Sequence, residues 1–136
     1  MMIDDDPTAA GCTELIERLR SERARGVKSL SRMHSAGGWH TSGRWITEAM
    51  ERRTGLVVRV CWGSILPPSA SYEAHTHGNA KQVAVWCLTG DGELRIEPDV
   101  VVPDRPGQVV IFPGDRLHWV PAVARERITV AANLAI

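Results

Sequence analysis

Hydrophobic and polar positions alternate with a helical period in the first part of the chain. Between residues 13 and 25, leucines and an isoleucine recur on one side among charged residues, and Gly26 follows as a stop. A connector containing Gly, Ser and His spans 29–43, and a second short helix is predicted over 44–53. The N-terminal segment, 1–55, is therefore predicted to contribute α-helices that pack on the rest of the protein.

From residue 56 the pattern changes to short apolar or alternating runs that are separated by Gly, Pro and Asp. These runs span 56–62, 70–77, 82–88, 93–97, 108–112, 117–121 and 126–134. Seven or eight strands with tight turns and no helical spacing predict an antiparallel barrel or sandwich over 56–136. Because 136 residues suit one domain, the helices and the barrel are predicted to form a single structural domain.

Composition and charge restrict the partners and the compartment. Lys plus Arg and Asp plus Glu each number 16, so no net charge favours a nucleic acid or an anionic membrane. No apolar run approaches the roughly 18 residues of a membrane span, and Cys12, Cys61 and Cys87 do not suggest a disulfide framework. We predict a cytoplasmic protein whose partner is a small molecule. The apolar final strand, 126–134, could also form the edge of a homodimer.

Three histidines are spaced as metal ligands would be. His75 and His77 lie two residues apart in a predicted strand, where side chains at i and i+2 point to the same face. His118 follows the turn signal Pro-Gly-Asp and would arrive from another strand. Three imidazoles arranged in this way can hold one metal ion. The competing interpretation is three unrelated histidines with hydrogen bonds of their own.

The last predicted strand has one apolar face and one small, polar face. The two faces are Ile128, Val130, Ala132, Leu134 and Arg127, Thr129, Ala131, Asn133. If the polar face lines the barrel interior, Arg127 needs an anionic partner, because burying an unpaired guanidinium is very costly. A bound carboxylate could be that partner, with a hydroxyl hydrogen bond from Thr129. In the competing interpretation the strand is a solvated edge, and Arg127 pairs with Glu126 or Asp91.

Six segments of the chain together carry a resemblance to known proteins. They are the connector 33–42, Tyr72-Glu-Ala-His75-Thr-His77, Gly92 to Pro98, Gly107 to Pro113, His118-Trp-Val-Pro and Arg127-Ile-Thr. They resemble the core of the iron(II)- and 2-oxoglutarate-dependent oxygenases, especially prolyl-hydroxylase-like members and small bacterial oxygenases. The resemblance implies a mainly β fold, a double-stranded β-helix (cupin or jelly-roll barrel) with N-terminal α-helices. It also implies Fe(II) as the metal, with 2-oxoglutarate and O2 used to hydroxylate or oxidise a small molecule.

The same resemblance assigns roles to individual residues. His75 and His118 become metal ligands. Arg127, nine residues after His118, becomes the partner of the distal carboxylate of 2-oxoglutarate, and Thr129 assists it. Trp86 and Asn133 are expected to face the cavity and to contact cosubstrate or substrate.

Position 77 departs from the oxygenase pattern, because most of these enzymes have a carboxylate there. His77 as a third nitrogen ligand still suits Fe(II), Zn(II), Cu(II) or Ni(II). The segments also resemble the wider cupin superfamily, although Gln82 and Asp115 replace a Glu and a Gly of its two motifs. Two alternatives therefore remain. One is a three-His cupin metalloenzyme that does not use 2-oxoglutarate, such as a direct dioxygenase, isomerase or lyase, and the other is a non-catalytic small-molecule-binding cupin.

Three polar residues near these motifs have less definite expectations. Glu73 shares the predicted strand face of the first two histidines, so it could accept an imidazole N–H or act as a fourth ligand. His34 and His40 lie in the connector, where we expect surface or capping roles.

Overall fold

The structure is a computed structural model that describes residues 1–5, 12–30 and 34–135. Its elements in chain order are β1 (Met2–Asp4), α1 (Cys12–Ala24), β2 (Ser35–Ala36), β3 (Trp39–Thr41), α2 (Arg44–Thr54), β4 (Val58–Leu66), β5 (Ser71–His75), β6 (Gln82–Cys87), β7 (Glu93–Ile96), β8 (Val100–Pro103), β9 (Val109–Pro113), β10 (His118–Val120) and β11 (Arg127–Leu134). No helix in these ranges is long and apolar enough to cross a membrane.

The strands form two antiparallel sheets that face each other. The larger sheet has six strands in the order β1-β9-β6-β11-β4-β3, and the smaller has five in the order β2-β5-β10-β7-β8. Apolar side chains from both sheets fill the space between them, among them Val83, Val85, Phe112, Ile96 and Val120. This arrangement confirms the predicted mainly β, double-stranded β-helix architecture.

The two helices cover the outer face of the six-stranded sheet. Leu15 and Leu19 of α1, with Ile46 and Met50 of α2, pack on the outward residues of β4, β6 and β11. Gly63 on β4 makes this contact close, because a Cβ atom there would lie 2.5 Å from Leu19 Cδ2. The fold is therefore three layers deep, and each helix lies within one residue of its predicted bounds.

Strand β11 occupies the centre of the larger sheet. It pairs with β4 on one side and with β6 on the other. Its Ile128, Val130, Ala132 and Leu134 face the helices, which confirms the predicted alternation. Because both sides of β11 are paired, the expectation that the final strand offers a dimer edge is wrong; a homodimer formed in another way stays a prediction.

Four short strands were not predicted. Strands β1, β2 and β3 come from the segment expected to be helical or connecting, and they pair with β9, β5 and β4. Strand β8 forms a hairpin with β7. Each has only two to four residues, too few to show a two-residue alternation. Their pairing depends on distant partners instead.

Candidate metal centre

The three predicted histidines meet at one end of the smaller sheet. His75 ends β5 and His118 begins β10, and the two are directly opposite partners in the ladder. His77 lies just beyond β5, where its backbone N–H donates to the carbonyl of Gly114 at 2.8 Å. One candidate ligand nitrogen from each imidazole lies within 4.8 Å of the others. The structure thus brings the three side chains together, although His77 reaches the site from a loop rather than from the strand.

Hydrogen bonds fix which nitrogen of each ring is available. The Nδ1 of His75 lies 2.6 Å from the carbonyl of Glu73, and that of His118 lies 2.9 Å from the carbonyl of Arg116. A carbonyl only accepts, so both Nδ1 atoms carry the proton and leave the Nε2 lone pairs available. His77 Nδ1 is 2.7 Å from Asn133 Oδ1 and behaves in the same way. All three imidazoles are therefore oriented as metal-ligating histidines usually are.

Burial keeps these imidazoles neutral. Desolvation lowers the pKa of His75 and His77, and it lowers the pKa of His118 to about 4. A neutral imidazole is the form that binds a metal. The donor set therefore fits a divalent ion that accepts three nitrogens and keeps further coordination positions open. Within the described ranges no carboxylate belongs to this group.

Glu73 orients the His75 ring through its backbone carbonyl. Its carbonyl accepts the His75 Nδ1–H, while its side chain is exposed and outside the ligand cluster. The Glu73 carboxylate, expected as an imidazole acceptor or a fourth ligand, does neither; the backbone carbonyl of Glu73 is the acceptor.

Two cavities adjoin the histidines, and Trp62, Tyr72 and His75 form part of the wall of both. The inner cavity, between the sheets, has a volume of about 40 Å³, and Arg127 and Thr129 also line it. The outer cleft has a volume of about 300 Å³. The inner space is equivalent to about three water molecules. The site therefore combines a narrow, mostly apolar interior, in which Arg127 and Thr129 are polar, with a wider opening.

Arg127 is buried inside the barrel and has an internal partner. Its Nε donates to Asp104 Oδ2 at 2.6 Å, and its Nη2 donates to Asp104 Oδ1 at 3.2 Å. The Sγ of Cys87 donates to Asp104 Oδ1 at 3.3 Å. Burial alone would lower the pKa of Arg127, but the charge and hydrogen bonds of Asp104 outweigh it and the pKa is raised. Arg127 thus has its anion without any ligand.

This pair decides between the two earlier interpretations of Arg127: the polar face of β11 does line the interior, and Arg127 has an anionic partner there. The strand is not a solvated edge, and Arg127 pairs with neither of the acidic residues proposed for the surface. Glu126 binds Arg20 and Arg23 of α1, and Asp91 lies 3.4 Å from Arg125. The anion is Asp104 rather than the bound carboxylate suggested from the sequence, and contact of Arg127 with a ligand carboxylate stays a prediction.

The other predicted site residues divide between the interior and the helix layer. Thr129 is buried and lines the inner cavity, as expected. Asn133 also faces inward, but its side chain holds His77. Trp86 was expected to face the cavity, and this is wrong. It packs in the cluster beneath the helices, because alternation along β6 turns Val85 inward and Trp86 outward.

A buried polar network adjoins the site. His40 is only 2% exposed, and its Nδ1 lies 3.0 Å from Tyr72 Oη while its Nε2 lies 2.7 Å from Ser35 Oγ. Tyr72 Oη also bonds Ser64 Oγ. Burial lowers the pKa of His40 to about 4 and raises that of Tyr72 to about 12. The surface or capping role expected for His40 is therefore wrong, since it anchors the tyrosine that separates the two cavities.

His34 lies at the outer cleft and stacks on a candidate ligand. Its ring is 4.7 Å from that of His75, with 10° between the planes. It is exposed, in agreement with the expected surface position.

Sequence reasoning missed Asp104 and His40 as site residues. Asp104 lies in a Pro-Asp-Arg-Pro-Gly turn and meets Arg127, 23 positions later in the chain, so nothing local distinguishes it from a surface turn residue. His40 lies in the three-residue strand β3, which is too short to show an alternation, so no local pattern marked it as buried.

Solved structures identify the fold. A prolyl-4-hydroxylase from Pseudomonas putida superposes with a TM-score of 0.74 at 18% identity, over 98% of this chain and 90% of that one. A viral collagen prolyl hydroxylase from Paramecium Bursaria Chlorella virus-1, solved as a 2-oxoglutarate complex, gives 0.72 at 14% identity, over 98% and 94%. A cupin-like protein from Thermotoga maritima gives 0.56 at 17% identity, over 79% and 76%. These similarities confirm the resemblance at the level of the fold.

No family model and no curated protein matches the sequence.

Proposed function

We propose that the protein is a non-haem Fe(II)-dependent oxygenase that uses 2-oxoglutarate to oxidise a small molecule. The observation that carries the proposal is the convergence of three neutral imidazoles beside a cavity inside the barrel that Arg127 and Thr129 help to line. The fold shared with prolyl hydroxylases supports it, since one of those proteins was solved as a complex with 2-oxoglutarate.

Each residue of the centre has a stated task in this proposal. His75, His77 and His118 hold the metal through their Nε2 atoms, while their Nδ1–H groups keep the rings in place. Bound Fe(II) would supply the activation of O2, coupled to oxidation of 2-oxoglutarate to succinate and carbon dioxide. Tyr72, fixed by its buried hydrogen bonds, separates the cosubstrate from the substrate.

The inner cavity would take the distal end of 2-oxoglutarate. Asp104 engages the Nε and Nη2 edge of Arg127, which leaves Nη1 for a ligand carboxylate. Thr129, two residues further on the same face of β11, can donate its hydroxyl to that carboxylate. The substrate would enter through the outer cleft, whose larger volume suits a small organic molecule.

A three-His metalloenzyme that does not use 2-oxoglutarate is the second candidate. The neutralised guanidinium of Arg127 and the small inner cavity favour it, because both weaken the case for a bound dicarboxylate. In this function the substrate itself would meet the metal.

An anaerobic titration distinguishes the two. Protein free of metal is titrated with Fe(II) and then with 2-oxoglutarate, and the visible charge-transfer band of a chelated keto acid is recorded. The His118→Ala variant serves as the control that lacks one ligand. We expect stoichiometric Fe(II) binding and a band in the wild type, and neither in the variant.

The outcomes separate the functions. Bound Fe(II) without a band would reject 2-oxoglutarate as a cosubstrate and favour the second candidate. Stoichiometric metal retained by His118→Ala would reject the ligand assignment. Tight metal binding with no oxygen consumption under any substrate condition would favour a non-catalytic binding protein.

A further inference from the structure

The pair of Asp104 and Arg127 is built into the barrel rather than resting on its surface. The two side chains are 1% and 3% exposed. The backbone N–H of Asp104 donates to the carbonyl of Gly92 at 2.9 Å, which holds the acid in place. A Cβ atom on Gly92 would lie 2.6 Å from Asp104 Oδ2 and 3.1 Å from Arg127 Cδ, so the backbone there passes directly against the pair.

The pair removes the positive charge that would attract an anion to the inner cavity. Among the described residues that line this cavity, Arg127 is the only Lys, Arg, Asp or Glu. With Asp104 bound to it, the guanidinium and its partner are neutral together. A ligand carboxylate at Nη1 would then place two anions on one cation in a region shielded from water, where like charges repel strongly.

We infer that Asp104 is a specificity-determining residue that competes with the ligand for Arg127 and weakens the binding of carboxylate-tailed molecules. This inference rests on the proposed function, since it concerns the cavity assigned to the distal end of 2-oxoglutarate. Its consequence is that a neutral hydrogen-bonding or apolar tail is accepted in the cavity nearly as well as a carboxylate.

Two keto acids test this directly. 2-Oxoglutarate and 2-oxopentanoate share the metal-binding end, but the second has a methyl group in place of the distal carboxylate. Their affinities for the Fe(II)-loaded protein are measured by calorimetry without O2, in the wild type and in Asp104→Asn. Asp91→Asn is the matched control, because it makes the same change in an exposed ion pair on the surface.

The wild type is expected to prefer 2-oxoglutarate by roughly tenfold or less, because the guanidinium is already neutralised. Asp104→Asn should strengthen 2-oxoglutarate binding by roughly tenfold or more, since one of two competing anions is removed. Binding of 2-oxopentanoate should be unchanged in the same variant, and both ligands should be unaffected in Asp91→Asn. A larger wild-type preference, or unchanged or weaker 2-oxoglutarate binding in Asp104→Asn, would overturn the inference.

Folding of the variant is measured first by urea unfolding, because Asp104→Asn leaves a buried guanidinium without its anion. If the variant does not fold, the wild-type preference between the two keto acids decides the matter alone. If the wild type binds neither keto acid, the use of 2-oxoglutarate is rejected. The inference about Asp104 is then decided by whether Asp104→Asn binds 2-oxoglutarate. Binding of 2-oxoglutarate gained in Asp104→Asn would support it, and none gained would overturn it.

Discussion

The acceptor on each Nδ1 atom determines how firmly a candidate ligand is oriented. For His75 and His118 the acceptor is a backbone carbonyl, which no substitution of a side chain removes directly. For His77 it is the side chain of Asn133, 2.7 Å away on the centre strand of the opposite sheet. Asn133 is therefore the one support of the three that mutation can test cleanly.

We expect Asn133→Ala to weaken metal binding by about tenfold, because the lost hydrogen bond frees the His77 ring to rotate and to change tautomer. The measurement is a competition titration of the metal-free protein with Co(II) and a chromophoric chelator. Asn79→Ala is the control, since Asn79 is exposed in the loop after His77. Equal affinity in Asn133→Ala and wild type would show that His77 needs no such support.

His40 predicts a pH dependence of stability. Desolvation lowers its pKa to about 4 in the folded protein, whereas an unfolded histidine titrates near 6.5. Below pH 6.5 the unfolded state therefore binds more protons than the folded state. The free energy of unfolding keeps its full value above that pH and falls as the pH is lowered toward 4. At pH 4 this difference in pKa lowers the free energy of unfolding by about 2 to 3 kcal/mol.

The test compares wild type with His40→Asn in the presence of a chelator. Free energies of unfolding from urea titrations at pH 7, 5 and 4 should fall less steeply in His40→Asn, because the buried imidazole no longer titrates. The variant should also be less stable at pH 7, since Tyr72 loses a hydrogen-bond partner. Parallel pH profiles for the two proteins would mean that His40 is not held neutral by the fold.

Residue-level prediction succeeded where the signal was spacing and failed where it was a distant contact. The spacing of His75, His77 and His118 was enough to place them in one cluster, because strand periodicity and a returning strand determine which side chains meet. The argument that Arg127 needs an anion was also sound. The anion itself, Asp104, could not be identified, since its only signal is its position in the folded chain.

At the level of elements, alternation along a strand decides which layer a side chain joins. In β6, Val85 faces the interior between the sheets, while Ala84 and Trp86 face the helices. The pattern along β6 is apolar on both faces, so the sequence could not distinguish the cavity side from the helix side. On β11 the polar face supplied that distinction, and the prediction was right.

We expect Trp86→Leu to reduce the free energy of unfolding by about 2 to 3 kcal/mol, because it removes a large ring from a packed cluster. Metal affinity should stay unchanged, since the side chain points away from the histidines. Trp119→Leu is the matched comparison, because Trp119 is only partly buried and lines the inner cavity. Urea unfolding measures the change in stability, and the Co(II) titration measures metal affinity. Weaker metal or keto-acid binding in a stably folded Trp86→Leu protein would contradict this placement.

On the scale of the whole molecule, sequence patterns predicted the architecture but not the order of the strands. Strands longer than three residues and both helices could be predicted from periodicity, with β8 the exception. The two sheets depend on pairings such as β1 with β9 and β2 with β5, which join positions far apart in the chain. Such pairings are chosen by shape and burial after collapse, and no local pattern encodes them.

The layered arrangement determines what part of the chain can fold. Removing residues 1–55 would strip α1 and α2 from the outer face of the six-stranded sheet and leave Trp86, Ile128 and Val130 in water. It would also remove β3, exposing β4 as an unpaired edge. The barrel region 56–136 therefore lacks the partners that bury one of its two faces, although it contains every candidate metal ligand.

We expect the fragment 56–136 to be unfolded or aggregated, with no cooperative urea transition and a poorly dispersed amide NMR spectrum. A chain that lacks only residues 1–5 is the control. It loses the edge strand β1 and the contacts of Arg53 with Asp4, so it should fold with reduced stability and bind metal normally. A cooperative transition of 56–136 at the full-length midpoint would show that the barrel is independent of the helices. The single-domain interpretation requires the opposite, because the face that β11 and β6 present to the helices has no other cover among the described residues.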